Sequence, residues 1–305
     1  MPHDHHHHRH VDPDAGDLRV AAAIGVNVLL TVAQIIGGLV SGSLALIADA
    51  IHNLSDAASL VIAVVARRIA RRPADPSMTF GYARAEVVAA LINYTTLVVI
   101  GLWIGAEAIG RFFAPEPVAG WIVVIVAGIA LVVDLATALL TWAMAKDSVN
   151  IRAAFLHNLA DAAGSVGVIL AGSLVLLFGW TWVDPVVTLM IAAYILWMSF
   201  NEMPGVIRIL MLGTPPDMAP DEVIETLRGV PGLRDVHHAH LWQMSEHRAS
   251  LEAHLVIEEG HWPRADAIKA EAKVRLSERF GIGHATLEIE CARHACDHVK
   301  VFGAA

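Results

Sequence analysis

Charge is scarce in this chain: 17 % of its 305 residues are Asp, Glu, Lys or Arg, while 56 % are hydrophobic. Soluble domains carry about 25 % charged residues, so the composition points to a bilayer rather than to water. Basic charge is scarcer than acidic, with 21 Lys and Arg against 30 Asp and Glu and a net charge of -9. That sign is wrong for holding phosphates and sets nucleic acid aside as a partner. Cysteine is nearly absent. Cys291 and Cys296 both lie close to the C-terminus, so disulfides cannot staple the fold together. No H-E-x-x-H sequence stands on any apolar run, and nothing else there supplies a base beside a metal. An intramembrane metalloprotease is therefore set aside, and no enzyme is expected. The opening stretch, Met1 to Asp17, has no apolar core and is too acidic for a secretory signal. It reads as a disordered, histidine-rich arm.

Long apolar runs, by contrast, are plentiful. They cover about residues 18–40, 44–66, 84–113, 121–145, 151–178 and 183–203, each long enough for the about 20 helical residues that cross a hydrocarbon core. Turn-forming residues punctuate the joins, as in Ser41-Gly42-Ser43 and Ala114-Pro115-Glu116-Pro117. Basic residues gather from Arg67 to Arg72, at Lys146 and Arg152, and at Arg208, which by the positive-inside rule places both termini in the cytoplasm. After Gly213 the composition becomes that of a soluble domain. Residues 221–229 and 264–280 carry a helical pattern, while 236–244, 251–257 and 285–291 alternate like strands. The expected fold is a membrane, all-α domain of six transmembrane helices over residues 18–212, then a small cytoplasmic α+β domain (αββαβ, ferredoxin-like) over 213–295 and a tail over 296–305. Two helices cover one face of such a sheet and leave the other for a second copy, so a homodimer in lipid is expected.

Histidine is the residue in excess, with 17 copies. Six lie in the arm and nine in the C-terminal domain, leaving only His52 and His157 in the spans. Each opens the same phrase, His52-Asn53-Leu54-Ser55-Asp56 and His157-Asn158-Leu159-Ala160-Asp161. An i, i+4 spacing puts both side chains on one helix face, so each helix offers an imidazole and a carboxylate in one direction. Two nitrogens and two oxygens suit tetrahedral Zn²⁺; Cd²⁺, Co²⁺ and Ni²⁺ remain alternatives. A single such pair reads equally well as a contact within its own helix. The doubling favours a function, because a carboxylate near the bilayer centre costs at least about 2.5–3.5 kcal/mol. Asp49, three residues before His52, reads as a group behind the ligands or a proton relay. Asp134 reads either as lining the same cavity or as a hydrogen-bond partner for a neighbouring helix. Glu107 and Arg111, four apart, read as a local ion pair.

These motifs resemble the cation diffusion facilitators over about residues 18–295. The resemblance is carried by Ser43-Leu44-Ala45-Leu46-Ile47-Ala48-Asp49-Ala50-Ile51-His52 running into Asp56, by Phe80-Gly81-Tyr82-Ala83-Arg84-Ala85-Glu86, and by His157 to Asp161 followed by Gly164-Ser165-Val166-Gly167. It implies a dimeric metal-ion/proton antiporter whose intramembrane site is His52, Asp56, His157 and Asp161, of the zinc-preferring type. It also implies cytoplasmic metal near His237, His254 and His284. His238 stands where many relatives have aspartate, and Asp134 where many have asparagine. His240, followed by Leu241-Trp242, lies on the same strand face as His238, and Cys291 and Cys296 flank His294 in a segment able to hold soft metal. The arm resembles the family's histidine-rich tails, a cloning remnant being the rival reading.

The implied function is proton-coupled efflux of divalent transition-metal cations, chiefly Zn²⁺, from the cytoplasm by alternating access. Metal and protons compete for one site, since imidazoles bind metal only when neutral and carboxylates only when ionised. Zn²⁺ is also the expected regulatory ligand of the cytoplasmic domain. A bacterial inner membrane is the expected location. The alternative is a membrane metal sensor that does not transport, though an anchor needs no buried ligands.

Overall fold

The structure is a computed structural model. It describes residues 13–142, 149–245, 248–293, 295–296 and 300–303, without the side chains of 13–24, 27, 56, 60, 140–141, 149–154 and 157. The histidine run of the arm lies outside the described residues.

Six long helices come first: α1 Pro13–Ser41, α2 Leu44–Ala70, α3 Ala85–Phe113, α4 Gly120–Trp142, α5 Val149–Phe178 and α6 Val183–Leu210. Five of them are long and apolar enough to cross a membrane, and the described part of α1 adds the apolar stretch Val28–Ser41. The helix α1 begins inside the expected arm, at Pro13, a residue whose fixed φ suits the first helical position. The helices wear their large apolar side chains outward: Leu29, Leu39, Val64, Leu102, Trp103 and Leu139 are all exposed, as lipid-facing surfaces are. Small and polar residues point inward. On α2 the buried stripe is Ala45, Ala48, Asp49 and His52, an i, i+3, i+4, i+7 face. Ala45 and Leu46 pack with Val123, Ala127 and Val168 of α4 and α5, while Ala48 packs with Ile104 and Ala192 of α3 and α6. Helices α4 and α5 approach at two glycines. A Cβ on Gly120 would stand 2.5 Å from the Gly172 carbonyl oxygen, and one on Gly172 2.9 Å from Val123, so only hydrogen fits.

The N-terminus of α2 is capped from far along the chain. Asp184, 1 % exposed at the start of α6, accepts from the Ser43 hydroxyl and, at 2.9 Å, from Leu44 N. The Ser43 oxygen in turn accepts from Leu46 N at 3.1 Å. Negative charge at a helix N-terminus satisfies amides that have no intrahelical acceptor. Arg111 sits beside this cap, donating to the Gly42 carbonyl and pairing with Glu116 at 3.0 Å. The expected partner, Glu107, is displaced because the Arg111 stem reaches past the end of α3 to the turns between helices.

A second compact unit contains residues 63–92 and 202–305. Its α/β part runs α7 Pro220–Arg228, β1 Leu233–Ser245, β2 Arg248–Ile257, α8 Ala265–Phe280 and β3 His284–Cys291, the expected αββαβ order. The sheet order is β1-β2-β3, with β1 antiparallel and β3 parallel to β2. Val223, Ile224 and Leu227 of α7 and Ile268, Ala272 and Leu276 of α8 bury against Val236, Leu251, Leu255 and Leu287. The helix α8 stops at Gly281, whose φ of 67° closes its C-terminus. In the α2–α3 connection, Asp75 accepts from Ser77 N at 2.8 Å, Met78 N at 3.0 Å and the Tyr82 hydroxyl at 2.7 Å. Bonds from Ser77 and Tyr82 hold its carboxyl well below the usual range. The turn presents Arg84, which donates to the Gln243 and Met244 carbonyls at 3.3 and 3.4 Å.

The cap predicts a stability effect. Asp184→Ala removes the acceptor of Ser43 and Leu44 and should lower the detergent-state melting temperature by the equivalent of about 1–2 kcal/mol, with Asp184→Asn milder because an amide oxygen still accepts. Unchanged melting of Asp184→Ala would show that the cap carries no stability.

Candidate metal sites

The histidine–aspartate phrases lie on α2 and α5. His52 Nε2 stands 3.3 Å from Asp161 Oδ1, with the two residues 6 % and 9 % exposed. One member of each phrase thus meets the other across the helix pair. The side chains of Asp56 and His157 lie outside the described ones; their backbones stand one turn from His52 and Asp161 on α2 and α5. Tyr194 of α6 meets the His52 ring edge-on at 6.0 Å.

Around this pair runs a buried polar network. Asp49 accepts from Gln34 Nε2 of α1 at 2.6 Å, and Gln34 Oε1 accepts from Asn53 at 3.0 Å. Gln34 is wholly buried and ties together the two residues that bracket His52. Asp134 of α4 is buried and accepts from Ser165 of α5 at 3.1 Å. Of the two readings of Asp134, this contact is the hydrogen bond to a neighbouring helix, and its partner lies four residues beyond Asp161. Sequence reasoning missed Gln34, Ser165 and Tyr194. Gln34 carries a signal of its own: an amide inside an apolar run needs a partner.

The cytoplasmic histidines divide differently from expectation. His237 and His254 are cross-strand partners on β1 and β2. The ladder shifts between His237 and His240, and His238 has a φ of 47°. This bulge overturns the expected pairing of His238 with His240: His238 turns to the side of His237, and His240 is exposed opposite Glu252. Ring centroids of His237, His238 and His254 lie 5.0–5.3 Å apart. Cys296 joins them, with donor atoms of all four residues within 4.8 Å of one another. His284 pairs with Ser250, four residues along β2 from His254, or about 13 Å away, and stays outside the group. So does Cys291, opposite Ile257.

Glu290 of β3 organises the cluster. Its carboxylate lies 2.6 Å from His254 Nδ1 and 3.3 Å from His237 Nε2, and accepts from Cys296 N at 3.2 Å and Cys296 Sγ at 3.4 Å. Burial pushes the Glu290 carboxyl up, but bonds from His254 and Cys296 prevail and hold it below its ordinary value. The same hydrogen bond to Glu290 pushes the Cys296 thiol up. Glu288, mostly exposed, stands 3.3 Å from His254 Nε2.

Comparison with known proteins bears on both regions. Residues 20–211 match the cation efflux transmembrane domain and residues 215–292 the cation efflux protein cytoplasmic domain. A Bacillus subtilis protein named a cadmium, cobalt and zinc/H(+)-K(+) antiporter is 37 % identical, over 87 % of this chain and 86 % of its own length. The zinc transporter ZitB of Pectobacterium atrosepticum is also 37 % identical, over 96 % and 91 %. Among solved structures, the metal-bound C-terminal domain of a CzcD transporter from Cupriavidus metallidurans is 27 % identical, spanning 24 % of this chain and 99 % of that one, at a TM-score of 0.23. With both of its regions matched and relatives of this identity spanning nearly its whole length, the chain belongs to the cation efflux family, a family of transporters and not of enzymes.

Proposed function

We propose that the chain exports divalent transition-metal cations, chiefly Zn²⁺, from the cytoplasm in exchange for protons, by alternating access through α1–α6. The observation that carries this reading is the meeting of His52 and Asp161 at 3.3 Å, buried on different membrane helices. Each belongs to a copy of one phrase, so Asp56 and His157, one turn away, complete a set of two imidazoles and two carboxylates. That set suits Zn²⁺ and its neighbours Cd²⁺, Co²⁺ and Ni²⁺ over ions that prefer all-oxygen shells. The relatives' names, which include zinc, cadmium and cobalt, support the same choice.

Protons travel the other way by competing for the same atoms. Asp49 and Asp134, buried close by, are the accessory carboxylates that accept and pass protons. Gln34 holds Asp49 and Asn53 and thereby sets the orientation of the His52 face. The protein is a homodimer in a bacterial inner membrane with both termini cytoplasmic. Arg67, Arg68, Arg71, Arg72 and Arg208 mark the cytoplasmic ends of α2 and α6, and the uncovered sheet face of the soluble domain takes the second copy. Zn²⁺ binding to that domain regulates flux. One observation favours a second reading, a sensor that does not transport: His237, His238, His254 and Cys296 bring donor atoms within 4.8 Å of one another outside the membrane helices.

Zn²⁺ flux into proteoliposomes separates the two readings. Flux should follow an imposed proton gradient and fall as the metal-loading side is acidified, because protonated imidazole and carboxyl groups cannot bind metal. His52→Ala and Asp161→Ala should reduce flux by more than the about 10- to 100-fold that loss of an orienting partner costs. Flux surviving both substitutions moves the ligands elsewhere, and absent wild-type flux with tight binding retained selects the sensor.

Gln34→Leu provides a separate check. It should lower flux about 10- to 100-fold, chiefly by raising the metal concentration needed for half-maximal rate. A variant that folds and transports normally would remove Gln34 from the site.

A further inference from the structure

The turn that joins α1 to α2, Ser41-Gly42-Ser43, is tied to three other elements. Helix α6 holds it through Asp184, which accepts from the Ser43 hydroxyl and, at 2.9 Å, from Leu44 N. Helix α3 holds it through Arg111, which donates to the Gly42 carbonyl and pairs with Glu116 at 3.0 Å. The α3–α4 connection closes over it: Ala119 N donates to the Ser41 carbonyl at 2.8 Å, and a Cβ on Gly42 would stand 2.6 Å from the Pro117 carbonyl oxygen. With a φ of 74° at Gly42, only glycine makes this approach without strain. These ties lie at the end of α2 opposite Arg67 and Arg68. With those arginines in the cytoplasm, this is the outer end.

Packing divides the helices into two groups that the turn joins. Helices α1 and α5 pack on α4, and α1 meets α2 where a Cβ on Gly38 would stand 2.5 Å from the Ile47 side chain. Helix α3 meets α6 where a Cβ on Gly101 would stand 3.1 Å from Leu196. Between the groups the seam is small and apolar, with Ala48 of α2 against Ile104 of α3 and Ala192 of α6. Ala48 is buried one turn from Leu44 and one from His52. At its outer end the same seam is fastened by charge.

Polar ties suit reversible opening. While the seam is dry, a buried carboxylate needs its donors, and losing them costs its desolvation. Once the seam parts, water takes the donors' place, so opening costs far less than the bonds are worth in the dry protein. Arg111 Nε is buried and makes no hydrogen bond among the described residues, so its hydration offsets part of that cost. A cavity lined in part by Arg111, Glu116, Thr181, Trp182 and Asp184 already borders both anchors.

We propose that Asp184 and Arg111 are gating residues: they latch the α1–α2 turn to α6 and α3 and hold the outer end shut while the metal site faces the cytoplasm. Breaking the latch parts α2 from α3 and α6 along Ala48 and opens His52 to the outer side. The inference rests on the transport reading and adds which bonds must break in one half of the cycle. Glu116 orients Arg111, and Ser43 carries the hold of Asp184 on to Leu46 N in the first turn of α2.

Thiol labelling of the seam separates a latch from a cap that only stabilises. Cys291 and Cys296 are the two cysteines of the chain, so Ala48→Cys in a Cys291→Ser, Cys296→Ser background is a single reporter. A membrane-impermeant methanethiosulfonate is applied to the outer face in spheroplasts and to the cytoplasmic face in inverted vesicles. Arg111→Met and Asp184→Ala should each speed outer-face labelling at least about tenfold, the shift expected when a charge-assisted bond is lost from one side of a two-state equilibrium. Cytoplasmic-face labelling should slow or stay unchanged. Arg111→Lys keeps a donor for the Gly42 carbonyl and should return outer-face labelling toward the parent rate. Glu107→Gln, at an exposed position one turn back on α3, should label as the parent does. Outer-face labelling unchanged in both Arg111→Met and Asp184→Ala, or faster labelling on both faces, which marks general loosening, would overturn the latch. Proton-driven Zn²⁺ flux with unchanged labelling refutes the latch alone. Latch-dependent labelling without wild-type flux refutes the transport reading alone.

Discussion

A polar or ionisable side chain inside hydrocarbon must find a partner within the protein, and the membrane region is arranged around that constraint. The helix α2 carries Asp49, His52 and Asn53 on or beside its buried face, and three neighbouring helices bring something polar to it. Gln34 comes from α1, Asp161 from α5 and the Tyr194 ring from α6. Beside them α4 and α5 hold Asp134 and Ser165 together. The outer surfaces need no such matching, so they are left to leucine, valine and tryptophan. The same rule governs the start of α2, where Asp184, 140 residues away in the chain, accepts from the Leu44 amide.

The two candidate metal sites solve one chemical problem with different backbones. In the membrane, helical periodicity places an imidazole and a carboxylate four residues apart on each of two helices, and His52 of one pair meets Asp161 of the other. In the soluble domain a sheet would scatter consecutive side chains to both faces, and convergence needs an irregularity. The bulge at His238 supplies it, at the cost of a backbone conformation seldom adopted by residues other than glycine. Glu290 then holds what the bulge has gathered. A carboxylate contacting two imidazoles and a thiol also carries charge opposite to that of the ion the cluster would receive.

The α2–α3 connection has a comparable economy. Phe80 to Glu86 stands out in the sequence as a motif without evident chemistry, and its surroundings explain part of it. Asp75 folds the preceding turn, accepting from Tyr82 of the motif itself, and Arg84 then reaches two carbonyls near the end of β1. A guanidinium with several donors in a fixed fork serves such a double contact better than an ammonium would.

What the sequence determined by itself is whatever depends on periodicity and composition. Six apolar runs of bilayer length, the basic residues at their ends, the αββαβ order and the repeated histidine–aspartate phrase are all one-dimensional patterns. Each follows from a local rule of helix or strand geometry. The tertiary structure alone decided the pairings between distant residues: His52 with Asp161, Gln34 with Asp49, Ser43 with Asp184. It also decided which cytoplasmic histidines converge, because a regular strand joins His238 to His240 and only the observed bulge joins it to His237. His284 and Cys291 looked as suitable as Cys296 by residue type, yet strand register carries the first two away and the returning chain end brings the third in. Residue type sets what an atom can bind, and only packing sets which atoms share a centre.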